Sequence, residues 1–175
     1  MKAVLISIRP KWCEKIINGR KTIEVRKTRP KLQTPFKCYI YCTLPKYPHE
    51  DFIATDYPNP QFYGGGKVVG EFICDCIDEY DDDTIFSFRH EDYARWNDFD
   101  LYRACMHPED FQNYANGKWL YGWHISSLKI YDTPRELREF YAVPNEVEVA
   151  LKAKPKPVTR PPQSWRYVEE ELWND

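Results

Sequence analysis

The chain has 175 residues, 42% of them hydrophobic and 16% aromatic, which suits one domain with an insertion or a tail. No apolar run approaches the roughly 18 residues of a membrane span, so no membrane association is expected. The net charge of −2 hides an asymmetry: residues 1–46 carry 12 Lys/Arg against 2 Asp/Glu, and residues 47–116 carry 4 against 16. A basic first quarter is the electrostatic footprint of a nucleic-acid binder, unless the acidic middle folds back and neutralises it.

In chain order, Lys2 to Ile8 is a continuous apolar run and reads as a buried central strand, not a signal peptide. Pro10 stands where a helix can start, and Trp12, Cys13, Ile16 and Ile17 fall on one helical face, which places Trp12 in the core. Asn18-Gly19 closes that helix. Lys21 to Lys27 alternates: Ile23 and Val25 point one way, Thr22, Glu24 and Arg26 the other. Lys21 has the parity of the apolar side, but at the strand entrance it can turn either way. Lys37 to Thr43 is a third strand, and the proline-rich residues 44–63 read as an irregular loop. Gly64-Gly65-Gly66 is a turn without the Lys-Ser/Thr of a phosphate loop. A long strand follows over Lys67–Ile77, and the acidic run Asp78–Asp83 reads as a solvated loop.

Helical fragments are expected near Asp92–Trp96 and Asp100–Cys105, and a helix opens at His107-Pro108 and closes at Asn116-Gly117. Trp119 to Tyr131 reads as one long strand. Thr133-Pro134-Arg135-Glu136 reads as a capping box opening a helix that buries Leu137, Phe140 and Tyr141. Beyond Pro144 the chain is charged and proline-rich, with a final strand over Gln163–Val168 and an acidic end. Five or six strands with a few short helices, not joined by regular helical crossovers, favour an α+β fold with a mixed, barrel-like sheet.

The six cysteines lack C-x-x-C spacing and the four histidines are scattered, so reduced cytosolic thiols are expected, with no metal and no cofactor. Cys74 and Cys76 share strand parity, as do Cys38 and Cys42.

Glu24 and Arg26 are neighbours on a polar strand face, where a carboxylate can hold a guanidinium for bidentate work on phosphate or a base edge. Arg9, Lys11 and Arg20 flank the same unit. The bland reading is an exposed strand with a surface ion pair. The series Gly19-x-Lys21-x-x-Glu24-x-Arg26, after Arg9-Pro10-Lys11-Trp12, resembles the signature of the ASCH domain (activating signal cointegrator 1 homology) of the PUA-like superfamily. Gly66–Phe72, Tyr121-Gly122-Trp123-His124-Ile125-Ser126 and Pro161-Pro162-Gln163-Ser164-Trp165 look like the variety found in bacteria and their phages.

The resemblance implies a PUA-like mixed β-barrel with short helices at its ends. The domain spans 1–143, with an acidic insertion around 78–116 and a 144–175 extension that packs back as a last strand. It implies a cleft for RNA or a nucleotide, lined by Arg9, Lys11, Arg20, Lys21, Thr22, Glu24, Arg26, Trp123, His124, Gln163, Ser164 and Trp165. Trp123 and Trp165 are candidates for stacking on a base, with the core as their alternative. A hydrolase is the second implication. A related amidohydrolase acting on acetylated cytidine has Gly-x-Lys-x-x-Thr, and Lys21 matches its catalytic lysine, but Glu24 replaces its threonine. Ribonuclease-like members use Lys with Tyr and Ser, for which Lys21, Tyr121 and Ser126 are candidates, with Glu24 as acid/base partner. A third reading is a protein-interaction factor that uses the acidic middle.

Overall fold

The computed structural model describes residues 1–44, 52–53, 62–81, 83 and 100–170. Its main sheet has five strands in the order β10-β1-β3-β6-β9: β1 (Lys2–Ile8), β3 (Phe36–Cys42), β6 (Lys67–Cys74), β9 (Ser126–Arg135) and β10 (Trp165–Glu169). β1 pairs parallel with β3 and antiparallel with β10, and β6 is antiparallel to both β3 and β9. The parallel pair needs a crossover. It is supplied by helix α1 (Pro10–Ile17) and strand β2 (Ile23–Arg26), which leaves the first sheet for a second one. That second sheet has the order β2-β8-β7, with β7 (Ile77–Tyr80) and β8 (Leu120–His124).

Two strands expected to be continuous break where the chain passes from one sheet to the other. The 67–77 strand ends at Cys74 and resumes as β7, and the 119–131 strand breaks at Ile125 between β8 and β9. The class is α+β with two sheets, and among the described residues no ladder closes them into a barrel. Asp78 and Glu79 lie within β7, not in a loop. Asp78 meets His124, and Glu79 pairs with Arg29 at 2.6 Å. β9 continues through Pro134 to Arg135 because it is an edge strand, where a missing N–H costs no ladder bond. The expected helix there is only a 3₁₀ turn, Leu137–Glu139, with Glu136 and Glu139 as its capping box. Phe140 is buried and Tyr141 is exposed.

Within the expected 44–63 loop, β4 (Phe52–Ile53) pairs with β5 (Phe62–Tyr63). The acidic chain end and the helical fragment near residues 92–96 lie outside the described residues. Helices α2 (Asp100–Ala104) and α3 (Pro108–Ala115) pack over β2, and a short α4 (Glu146–Ala150) precedes the final strand. The apolar face of β2, Ile23 and Val25, joins Tyr80, Leu101, Phe111 and Leu120 in a core of its own. The larger core lies against α1 and contains Val4, Ile6, Ile8, Cys38, Ile40, Phe72 and Trp123. No helix among the described residues is long and apolar enough to cross a membrane.

Candidate functional site

α1 starts on the Arg9 carbonyl, which accepts from the Trp12 and Cys13 amides at 2.9 and 3.0 Å. It stops at Asn18, and Gly19 then takes φ +69°, a left-handed conformation that suits glycine. The Lys15 carbonyl accepts from the amides of both Arg20 and Lys21, at 2.8 and 2.9 Å. This wrap turns Lys21 inward before β2 begins at Ile23, so strand parity never governs it.

Three charged side chains are buried together: Lys21, Glu24 and Arg26 are 3%, 5% and 9% exposed. Glu24 sits between the two cations, 3.3 Å from Lys21 Nζ through Oε2 and 2.9 Å from Arg26 Nη2 through Oε1. Lys21 Nζ also donates to the Ala104 carbonyl at 2.6 Å, and Arg26 Nη2 to the Ser7 carbonyl at 2.6 Å. A buried charge is tolerable when it is paired and hydrogen-bonded in this way. Burial lowers the Lys21 ammonium from its ordinary value of 10.5, and the Glu24 carboxylate partly restores it.

The cluster forms one wall of a cleft of about 560 Å³, lined also by Ser7, Arg9, Lys11, Trp12, Val25, Thr43, Met106, Asp110, Tyr114 and Gln163. Four cationic side chains face two carboxylates there. The Trp12 ring carries three ammonium groups around it: Lys11 at 4.6 Å, Lys21 at 5.0 Å and Lys15 at 5.2 Å from its centroid. Burial raises the Tyr114 phenol, while the Arg26 and Arg9 cations pull it down.

Of the residues expected in the site, Arg9, Lys11, Lys21, Glu24, Arg26 and Gln163 line this cleft. Ser164 stands behind it, its Oγ accepting from Arg26 Nη1 at 3.5 Å. The others are elsewhere. Arg20 is exposed on the turn. Thr22 precedes the ladder, and its Oγ1 accepts from Arg103 Nε at 3.1 Å. Trp123 is 0% exposed, edge-on to Phe36 at 5.9 Å, so it is a core residue with no face for a ligand. Trp165 packs against Trp123 and Tyr167, and its Nε1 donates to Thr28 Oγ1 at 3.0 Å. His124 meets Asp78 and Arg103. Tyr121 packs against the larger core, and Ser126 Oγ donates to the Ile73 carbonyl at 2.9 Å. Neither Tyr121 nor Ser126 lines the cleft with Lys21.

Trp12 and Tyr114 are the aromatic side chains that line the cleft, and Trp12 also packs against the larger core, where helical periodicity places it. Ser7 carries a signal that sequence reading passed over, being the one hydroxyl in the apolar run Ala3–Ile8. Met106, Asp110 and Tyr114 reach the cleft only because the α2–α3 pair folds over β2, a contact no local pattern announces.

The arrangement defines an α+β protein of two sheets with a buried, charge-paired cluster at the edge of a basic cleft. The same fold occurs in ASCH proteins, and this chain has an ASCH-type fold. The crystal structure of ASCH from Zymomonas mobilis covers 96% of this chain, which covers 88% of that one, with TM-score 0.55 and 16% identity. A tyrosine-to-phenylalanine variant of ASCH from the same organism covers 97% of this chain and is itself covered to 92%, with TM-score 0.57 and 18% identity. For a serine-to-alanine variant the figures are 96%, 89%, 0.55 and 18%. No family model matches the sequence, and no curated protein matches it.

Proposed function

We propose that this chain binds a nucleotide, or the single-stranded end of an RNA, in the Lys21–Glu24–Arg26 cleft. The carrying observation is the convergence of buried Lys21 and Arg26 with Arg9, Lys11 and Trp12 around one concavity. Its volume falls within the roughly 300–1,000 Å³ usual for ligand sites. Arg9, between β1 and α1, and Lys11, in the first turn of α1, are placed for phosphate oxygens. Trp12, already flanked by cations, offers an indole face to a base, a contact worth ~1–3 kcal/mol. Glu24 holds the two deeper cations in place and leaves a net positive cleft.

Fluorescence anisotropy with a labelled single-stranded RNA at low salt tests this. Arg9→Ala, Lys11→Ala and Trp12→Ala each weaken binding, and the parent shows a salt slope of about −1.4, as two phosphate contacts on a single strand give. Equal affinity of all three variants and the parent, at low salt, overturns the reading.

A second reading rests on one observation: the depressed Lys21 ammonium lies 3.3 Å from a carboxylate beside the cleft. A lysine so tuned can act as a base, with Glu24 as its proton partner, in a hydrolase acting on RNA or acetylated cytidine. Incubation with each substrate, with Lys21→Ala as control, decides it. No product, or product undiminished in the variant, removes Lys21 from catalysis.

A further inference from the structure

Away from the cleft, one other group brings chemically different donors to a single point. Cys76 and Asp78 flank Ile77 at the start of β7, and His124 ends β8 beside them. The His124 amide donates to the Cys76 carbonyl at 3.0 Å, while Asp78 stands opposite Gly122 in the ladder. His124 is therefore the cross-strand neighbour of Cys76. Residues at i and i+2 share one face of a strand, and directly opposed residues share it too. All three side chains consequently leave the sheet on the same side. Cys76 Sγ, an Asp78 oxygen and a His124 ring nitrogen lie within 4.8 Å of one another. None of the three lines the cleft. Cys76 is exposed and the other two are half-buried, so the point they share is open to solvent.

We propose that Cys76, Asp78 and His124 form a binding site for a zinc-type divalent ion, with three protein ligands and a remaining position for water. A thiolate, an imidazole and a carboxylate are the donor set of zinc, whereas magnesium and calcium select oxygen alone. In the metal-free arrangement hydrogen bonds hold the ligands together. His124 Nε2 lies 2.5 Å from Asp78 Oδ2, and the Cys76 thiol reaches Asp78 Oδ1 at 3.9 Å. The ion replaces both hydrogens. Cys76 releases its proton to solvent, and the imidazole stays neutral by carrying its proton on Nδ1 instead of Nε2. Thiolate and carboxylate then balance the dication.

One neighbour must yield. An Arg103 terminal nitrogen stands 3.4 Å from His124 Nδ1, and it withdraws once that nitrogen carries the proton. Its guanidinium keeps Thr22 Oγ1 at 3.1 Å and Asp100 at 3.9 Å. The sequence hides this site because its donors are set by a ladder between strands 46 residues apart, not by local cysteine spacing.

Full-length protein, stripped with a chelator and kept reduced with a phosphine, is titrated with Co²⁺ and then Zn²⁺. One equivalent of cobalt is expected to give tetrahedral visible bands and a thiolate-to-cobalt charge-transfer band, and one equivalent of zinc to erase both. Cys76→Ser removes the charge-transfer band and weakens zinc at least about tenfold, and His124→Gln weakens zinc to a similar extent. Cys105→Ser, at a partly exposed thiol outside the cluster, leaves both readouts unchanged. Metal-free thermal unfolding establishes that each variant is folded. Absence of the charge-transfer band in the parent, its survival in Cys76→Ser, or unchanged zinc affinity in His124→Gln overturns the proposal.

Discussion

β1 and β2 are both buried strands, yet they bury different things. Along β1, Ala3 to Ile8 are all buried, and only Ser7 carries a polar side chain. All four residues of β2 are buried as well, and two of them, Glu24 and Arg26, are charged. The first strand is held by transfer of apolar surface from water, which is non-directional and tolerates small changes of shape. The second is held on its polar side by a carboxylate between two cations, which fails as soon as one member is removed. The cleft wall is therefore stable only as a complete set of charges, and its side chains are fixed by one another in advance of any ligand.

The largest expected effect breaks that set. Glu24→Ala leaves Lys21 and Arg26 buried without a counter-charge and is expected to cost about 3–5 kcal/mol in urea unfolding. Ile6→Val, in β1, should cost only about 0.5–1.5 kcal/mol in the same assay. If the two changes cost the same, the contrast between the strands is wrong. Next come two glycines, one in each sheet. A Cβ at Gly70 in β6 would lie 2.5 Å from the Lys129 backbone oxygen, and one at Gly122 in β8 would lie 2.8 Å from the Tyr80 hydroxyl. Both alanine variants should lose about 1–3 kcal/mol of stability. Gly70→Ala is the costlier because backbone cannot swing aside, whereas Tyr80 can give up its 2.8 Å bond to Asp100.

A smaller effect is read from pH. The buried Lys21 releases its proton below the ordinary 10.5 that it keeps when unfolded. Between those two values the unfolded chain binds more protons, so this group's contribution to stability rises with pH. The stability of the parent relative to Lys21→Met should therefore increase as pH climbs toward 10.5, measured by urea unfolding at each pH. The smallest effect concerns the rim. Arg9→Ala and Lys11→Ala lie outside the buried set and should leave the unfolding midpoint unchanged, while each lowers the magnitude of the salt slope of single-stranded RNA binding by about 0.7.

Much of β2 was legible in advance because period-2 alternation separates Ile23 and Val25 from Glu24 and Arg26 whatever the tertiary fold. Lys21 was not, because its direction comes from the Lys15 carbonyl capturing two amides in the turn, and a turn obeys no strand parity. The aromatic residues kept two readings open for a related reason. Trp12, Trp123 and Trp165 are equally suited to a core and to a base, and only their neighbours decide between the two. Trp123 is sealed between Phe36 and Trp165, whereas Trp12 sits at the first turn of α1, where the helix face that buries Cys13 and Ile16 has already reached the cleft. The two-sheet architecture escaped notice because residues 75–76 and 125 interrupt otherwise uniform strand patterns, and neither break carries a glycine or proline.

The bond from the Ser7 hydroxyl to the Pro162 carbonyl, 2.6 Å long, joins residues 155 apart in the chain. The Ser7 amide reaches the Ser164 carbonyl, and Gln163 completes the cleft wall. During synthesis, therefore, the first strand and the basic turn emerge early but have no finished pocket. β1 stays an open sheet edge, prone to pairing with other chains, until residues 162–169 leave the ribosome and dock. Completion of the cleft is thus a late event of biogenesis, and a polypeptide cut short before that strand carries the charges of the cleft without its shape.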